Sequence, residues 1–173
     1  MHDVASAIDT ALFRKVMGSF ATGVTVITTD VDGEIRGMTA SAFMSGSLHP
    51  PLCVISVAHS ARMHALLDRA GHFGVSILAT GHERLCGHFA GRPDPVVNPK
   101  FVRIGRTPVL AGAAATLTTD VETTHPCGDH TLLVGRILDL QVGGAPPLLV
   151  HGGRFASLMY TGQEDPAATI EFW

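Results

Sequence analysis

Small hydroxyl residues alternate with small apolar ones in Gly37-Met38-Thr39-Ala40-Ser41-Ala42-Phe43-Met44-Ser45-Gly46-Ser47-Leu48. Such a run lets a flat ligand come close to the main chain. Amide N–H groups and hydroxyls between Thr39 and Ser45 can bond its edge oxygens and nitrogens, while Met38 and Phe43 supply an apolar wall. The same residues also suit an ordinary Ser/Thr-rich edge strand and loop. Ser60-Ala61-Arg62 stands between an apolar strand-like run and a helix-like one. The free N–H groups and dipole of a helix start, the Ser60 hydroxyl and the Arg62 guanidinium together make an anion site that a phosphate would fit. The plainer reading is an N-cap followed by a surface arginine.

Ten histidines invite a metal reading, which spacing has to support. His82-Glu83-Arg84-Leu85-Cys86 has the outline of HExxH with Cys in the second ligand place, and a helix there would put His82 and Cys86 on one face, near His88. The plainer reading is a polar helix with one buried cysteine. His125, Cys127 and His130 form a second grouping of this kind. Neither GxxxxGK[ST] nor GxSxG occurs, and no GxGxxG follows a strand-like run. Cys53, Cys86 and Cys127 are odd in number and form no CxxC, so a disulfide framework or zinc knuckle is not expected and the compartment reads as reducing.

The elements that must position these groups fit one domain spanning residues 1–173. With 46% hydrophobic and 16% charged residues the chain can bury a core, which excludes intrinsic disorder. A net charge of -3 with only two lysines argues against phosphate-driven nucleic-acid binding. The start of the sequence lacks the basic and apolar regions of a signal peptide, and no apolar stretch is long enough to span a membrane, so a cytoplasmic protein is expected.

Ile8, Leu12, Phe13, Val16, Met17 and Phe20 make one helical stripe, with Asp9 placed to cap it and Gly23 to stop it. Val24–Thr29 and Ile35–Ala42 read as a hairpin about Asp32-Gly33. Leu52–Ala58 and Phe73–Leu78 read as strands buried on both faces. Between them Ser60 is placed to cap a short helix that ends at Gly71, and another helix spans Glu83–Phe89. Three prolines make residues 91–100 a loop. Ala113–Glu122 and Thr131–Val142 are long strands joined about Pro126-Cys127-Gly128, and Leu148–His151 with Phe155–Met159 forms a last pair. At least six strands, short helices and no βαβ alternation predict a mainly β fold, a closed antiparallel Greek-key-like barrel with helical additions.

Five ordered motifs add a family likeness. They are Phe20-Ala21-Thr22-Gly23-Val24-Thr25-Val26-Ile27-Thr28-Thr29, Gly37-Met38-Thr39-Ala40-Ser41-Ala42-Phe43, Ser47-Leu48-His49-Pro50-Pro51-Leu52, Phe89-Ala90-Gly91 and Gly128-Asp129-His130. From about Phe13 to Tyr160 the chain resembles the short-chain flavin reductases, which have the FMN-binding split-barrel fold.

The resemblance implies reduction of FMN or FAD by NADH or NADPH, and supply of reduced flavin to a separate flavin-dependent monooxygenase. It implies that Thr39, Ala40, Ser41 and Phe43 lie beside the isoalloxazine and ribityl chain, followed by Ser56, Val57 and Ala58. Ser60 and Arg62 fall at the phosphate end, Phe89 and Ala90 in a loop over the flavin, and His130 on the nicotinamide side. It further implies a homodimer, to which Phe172 and Trp173 of the 161–173 tail would contribute. A flavin carrier on the same barrel, and a metal-binding regulator using the His/Cys groupings, are the alternatives. His49 departs from the family's Asp before Pro-Pro, and Ser76 from a common Asn. The sequence leaves open the choice between FMN and FAD and between NADH and NADPH, whether flavin stays bound, and which monooxygenase is served.

Overall fold

The computed structural model describes residues 8–160. In chain order its elements are α1 (Thr10–Gly18), β1 (Thr22–Gly23), β2 (Thr25–Val31), β3 (Glu34–Ala40), β4 (Phe43–Ser47), β5 (Leu52–Ala58), α2 (Arg62–Ala70), β6 (His72–Ile77), α3 (Glu83–Phe89), β7 (Phe101–Ile104), β8 (Thr107–Leu110), β9 (Ala115–Cys127), β10 (His130–Val142), β11 (Leu149–His151) and β12 (Arg154–Ala156). Residues 161–173, and with them Phe172 and Trp173, lie outside the described residues.

The β2–β3 hairpin forms as the sequence predicts. Asp32 and Gly33 adopt φ of 57° and 79°, the left-handed pair that a two-residue turn between twisted strands requires. Asp9 caps α1 by accepting from the Ala11 N–H at 2.9 Å. The helix stops at Gly18 with Ser19 as its C-cap, earlier than the expected Gly23, because Thr22 and Gly23 are drawn into a ladder with β11. No α1 residue is buried, so its apolar stripe faces outward.

Seven antiparallel strands make the main sheet in the order β3-β2-β6-β9-β10-β5-β4, beside a three-stranded sheet β1-β11-β12 and a β7–β8 hairpin. The expected closure is corrected here: β3 and β4 are the two ends of the order, and among the described residues no ladder joins them. The chain nevertheless passes from one edge to the other through Ser41 and Ala42 alone. The sheet therefore curls until its edges meet, yet stays open at that corner. Turn bonds use up the groups that closure would need: the Thr25 hydroxyl donates to the Ala40 carbonyl at 2.7 Å, and the Phe43 N–H donates to the Ser41 carbonyl at 3.0 Å.

Inside the curl, α2 lays Met63 and Leu67 on Ile27, Cys53, Ile55, Val57, Phe73, Val75, Leu117 and Leu133. Burying such side chains contributes roughly 1.5 to 3 kcal/mol each, which makes this cluster the main stabilising element. Gly135 is what lets β10 pass Phe73, since a Cβ there would sit 2.6 Å from the ring. β6 is enclosed on both faces as expected, but β5 is not. Cys53, Ile55 and Val57 are buried, while Val54, Ser56 and Ala58 alternate onto a half-exposed outer face. Ser60 does not cap α2; Ala61 holds the N-cap place with no side-chain bond, while Gly71 ends the helix at φ 66° as predicted.

The loop over residues 91–100 and helix α3 match the sequence reading. β9 runs five residues further than expected, to Cys127, and narrows the turn to Gly128-Asp129. Pro126 is tolerated there because β9 has β6 as a second neighbour only as far as Asp120. Among the described residues no helix is long and apolar enough to cross a membrane.

Candidate functional site

Strand alternation divides the hydroxyl-rich segment between two faces of β3. Met38 and Ala40 pack against the core cluster. On the opposite face the Thr39 hydroxyl donates to the Cys86 carbonyl of α3 at 2.7 Å, and Gly37 leaves room for Phe89, whose ring would lie 2.9 Å from a Cβ at that position. Phe89 is wedged edge-on between His88 and Phe101, at centroid distances of 5.2 and 6.3 Å. Ala90, at the end of α3, is exposed. Thr39 thus anchors α3 through its hydroxyl, and Phe89 is a packed side chain on β3.

The open corner gathers a different set. The Ser56 N–H donates to the Ala42 carbonyl at 3.2 Å, the last rung on that side of β5. His59 donates its N–H to the Asp129 carbonyl at 3.0 Å, and in an antiparallel ladder this sets the phase. Residues 53, 55, 57 and 59 bond toward β10, and residues 54, 56 and 58 point their peptide groups the other way. Past Ala42 no strand stands there, so the Ala58 N–H faces the gap, while the Ala58 carbonyl accepts from the Ala61 N–H at 3.0 Å. Side chains follow the same phase. Val57 is in the core, whereas Ser56 and Ala58 lie outward beside their cross-strand partners Leu132 and His130.

Over this outer face lies a cleft of 420 Å³, with Ser41, Ser56 and Leu132 on one wall and Met17 and Phe20 of the α1 end on the other; Phe43 borders it, but its side chain, opposite Ile55, packs against the core cluster. Of the residues predicted from sequence, the cleft brings together Ser41 and Ser56, with Ala58 and His130 on the same face and Phe43 at its border. It leaves out Met38, Ala40, Val57, Phe89 and the Thr39 hydroxyl. Ser45 is exposed on β4, opposite Cys53. Met17 and Phe20 escaped the sequence reading as site residues and were placed only in an amphipathic helix stripe.

At one end of the face, Ser60 and Arg62 are exposed with no side-chain partner among the described residues. Without a side-chain cap, the Arg62 and Met63 amides at the start of α2 also stay free to bind an anion, while the His64 N–H donates to the Ala61 carbonyl at 2.9 Å. At the turn, His130 Nδ1 lies 2.7 Å from Asp129 Oδ1. This hydrogen bond, and then the charge of the imidazolium form, holds the Asp129 carboxyl below the usual aspartate range. An ionised Asp129 can only accept, so Nδ1 carries the proton and Nε2 is left for another partner. Next to it, His59 and His64 both reach the Thr131 hydroxyl, at 3.2 and 2.9 Å. Sequence reasoning missed this trio, which carries no motif.

Neither His/Cys grouping is assembled as a ligand set. His82 Nδ1 accepts from the Ala79 N–H at 3.3 Å and His88 Nδ1 from the Asp94 N–H at 3.2 Å. Burial pushes the Cys86 thiol up from its ordinary value, away from the thiolate a metal needs. Among the described residues no three His, Cys, Asp or Glu side chains gather in a metal-binding arrangement. The departure at Ser76 has a structural use: its buried hydroxyl accepts from the Leu110 N–H at 2.9 Å and ties β6 to β8.

Comparison with known proteins agrees in extent. Residues 17–159 match the family model described as flavin reductase like domain. An NADH-dependent flavin reductase of a Rhodococcus species is 40% identical over 156 residues, covering 88% of this chain and 89% of that protein. The reductase component of 4-hydroxyphenylacetate 3-monooxygenase from Thermus thermophilus is 39% identical over 139 residues, covering 80% and 89%. The solved structure of flavin reductase PheA2 in its native state superposes with a TM-score of 0.86 at 38% identity, covering 88% of this chain and all of that one.

Proposed function

The chain belongs to the flavin reductase like family, and from that membership we propose an NADH-dependent flavin reductase whose flavin lies across the open corner of the sheet. The observation that carries the placement is the Ser41-Ala42 break, where strand pairing stops and leaves backbone donors beside an apolar cleft. The family's split barrel is, in this reading, the curled single-domain sheet with that corner as its split.

The residues fit a flavin mononucleotide or dinucleotide. The cleft is apolar on the Val54, Leu132 and α1 sides, which suits a flat ring system. Ser41, Ser56 and the Ala58 N–H offer bonds to polar ring edges. Ser60, Arg62 and the uncapped start of α2 take the phosphate end. His130, steered by Asp129, stands on the same face with Nε2 free to orient the nicotinamide amide. When bound, the flavin supplies the hydride acceptor at N5 and the nicotinamide supplies the hydride. The chain's own work is to hold the two groups in register and to exclude water. It needs no side-chain nucleophile, which agrees with the lack of a Ser/His/Asp set in the sequence.

Reduced flavin then serves a flavin-dependent monooxygenase, a reading supported by the Thermus relative's name as the reductase component of a monooxygenase. A second copy of the chain covering α1 makes a homodimer in this reading. Support comes from Leu12, Phe13, Val16, Met17 and Phe20, which stay exposed, Met17 and Phe20 on the rim of the cleft. Three free cysteines, none in a disulfide, fit a reducing cytoplasm.

The deciding experiment is NADH and NADPH oxidation with FMN, FAD and riboflavin added in turn. Flavin-dependent NADH oxidation is expected. Tight flavin binding without nicotinamide oxidation would replace the reductase by a flavin carrier.

A further inference from the structure

Building on the phosphate assignment above, we propose that Thr131 is a positioning residue: through His59 and His64 it locks the anion-binding turn before α2 onto the β9–β10 hairpin. Apart from Ala61 and Met63, which pack on the core cluster, few bonds hold the turn. The β5–β10 ladder ends at the Ala58–His130 pair, and one further backbone bond, His59 N–H to the Asp129 carbonyl, follows it. Ser60 does not cap α2, and Ala61 in the N-cap place has no side chain able to do so.

The remaining side-chain bonds between this turn and the hairpin converge on one hydroxyl. His59 Nε2 stands 3.2 Å and His64 Nε2 2.9 Å from Thr131 Oγ1, and the two rings meet edge to face at a centroid distance of 5.2 Å. A hydroxyl has one proton and two lone pairs, so it serves both rings at once, accepting from one and donating to the other or accepting from both. The placement gives the contact leverage. His59 immediately precedes Ser60, and His64 lies in the first turn of α2, two residues beyond Arg62. The two histidines therefore bracket the anion-binding residues on both sides. Thr131 is itself fixed opposite Val57 in the ladder and points to the inner face, away from the cleft, so it acts without touching a ligand.

The test compares Thr131→Val, which keeps the branched shape and loses the hydroxyl, with Thr131→Ser, which keeps the hydroxyl. Equilibrium fluorescence titration with FMN and riboflavin gives the ratio of their dissociation constants. Thr131→Val is expected to raise that ratio about 2- to 12-fold, the span of a single net hydrogen bond. Thr131→Ser restores it. A structural role alone would lower the melting temperature and leave the ratio unmoved, and that result overturns the proposal. Should Thr131→Val fail to fold, His64→Phe keeps a ring without Nε2 and is read by the same ratio. Titration needs no turnover, so a wild-type protein that binds FMN without oxidising NADH would sink the reductase reading while the ratio still decides on Thr131. A wild-type protein that binds neither flavin overturns both.

Discussion

Replacing His130 by alanine tests the chemistry of the open corner most directly. His130 Nδ1 is engaged by Asp129 at 2.7 Å, which leaves Nε2 one hydrogen bond to give to the nicotinamide side. The loss of one positioning bond, with some misorientation of the hydride donor, predicts about a 10- to 100-fold slower flavin reduction, or roughly 1.4 to 2.7 kcal/mol of transition-state stabilisation. Ser56, Ala58 and the α2 start are untouched, so the flavin dissociation constant should change by less than about threefold, within the range of a weak lost contact. Asp129→Asn belongs in the same series: it removes the anion that fixes the Nδ1 proton and should fall between wild type and alanine. Since Asp129 titrates below the ordinary aspartate range, its hold on His130 is present above that range and is lost only as pH falls through the lowered value. Stopped-flow mixing of NADH with the flavin-loaded protein, following flavin absorbance, reads the rate. Wild-type rates in a folded His130→Ala protein would return His130 to an ordinary turn residue.

The other predictions concern affinity, packing and thiol reactivity. Arg62→Ala should weaken FMN about 5- to 13-fold relative to riboflavin, or about 1 to 1.5 kcal/mol, a charge-assisted bond discounted for an exposed guanidinium; equal losses for both flavins in a fluorescence titration would contradict the phosphate role. Gly135→Ala should cost about 1 to 3 kcal/mol, because its Cβ meets the buried Phe73 ring at 2.6 Å; an unchanged melting temperature would refute that reading of the close approach. Ellman titration of the native protein should report Cys127 alone, since it is exposed whereas burial raises the Cys53 thiol to about 11 and shields Cys86; all three thiols reacting at once in folded protein would contradict the burial.

Much of this architecture is legible in the sequence wherever local chemistry decides it. The Asp32-Gly33 hairpin, the Leu52–Ala58 strand and the Glu83–Phe89 helix follow from turn residues and apolar runs, and the structure places them there. Where neighbours decide, the sequence misleads. Phe43–Ser47 has little strand propensity and pairs because β5 offers it an edge. The β7–β8 hairpin, with Pro108 in a strand, gives no comparable local signal. The site divides in the same way. Ser41 and His130 of the proposed site lie in the ordered motifs and Ser56 follows from the resemblance, but the face each side chain takes depends on ladder phase, which set Val57 and Ala40 inward and turned the Thr39 hydroxyl toward α3. The α1 stripe reads as one face of an amphipathic helix, and among the described residues nothing buries it. His59 and His64 meet only through a third residue, Thr131, brought in from β10.

That long-range meeting also dictates the order of events as the protein is made. The His64–Thr131 contact spans 67 residues, and the wall of the cleft joins Ser41 and Ser56 to Leu132. A nascent chain that has emerged only as far as α3 owns every element up to the anion-binding turn and still has no cleft. β10 must leave the ribosome and slot between β9 and β5 first, and such non-local pairing is slow. Flavin in the surroundings can stabilise only the finished sheet, by mass action on the native state. Refolding traces should accordingly show flavin leaving the folding rate unchanged and slowing unfolding.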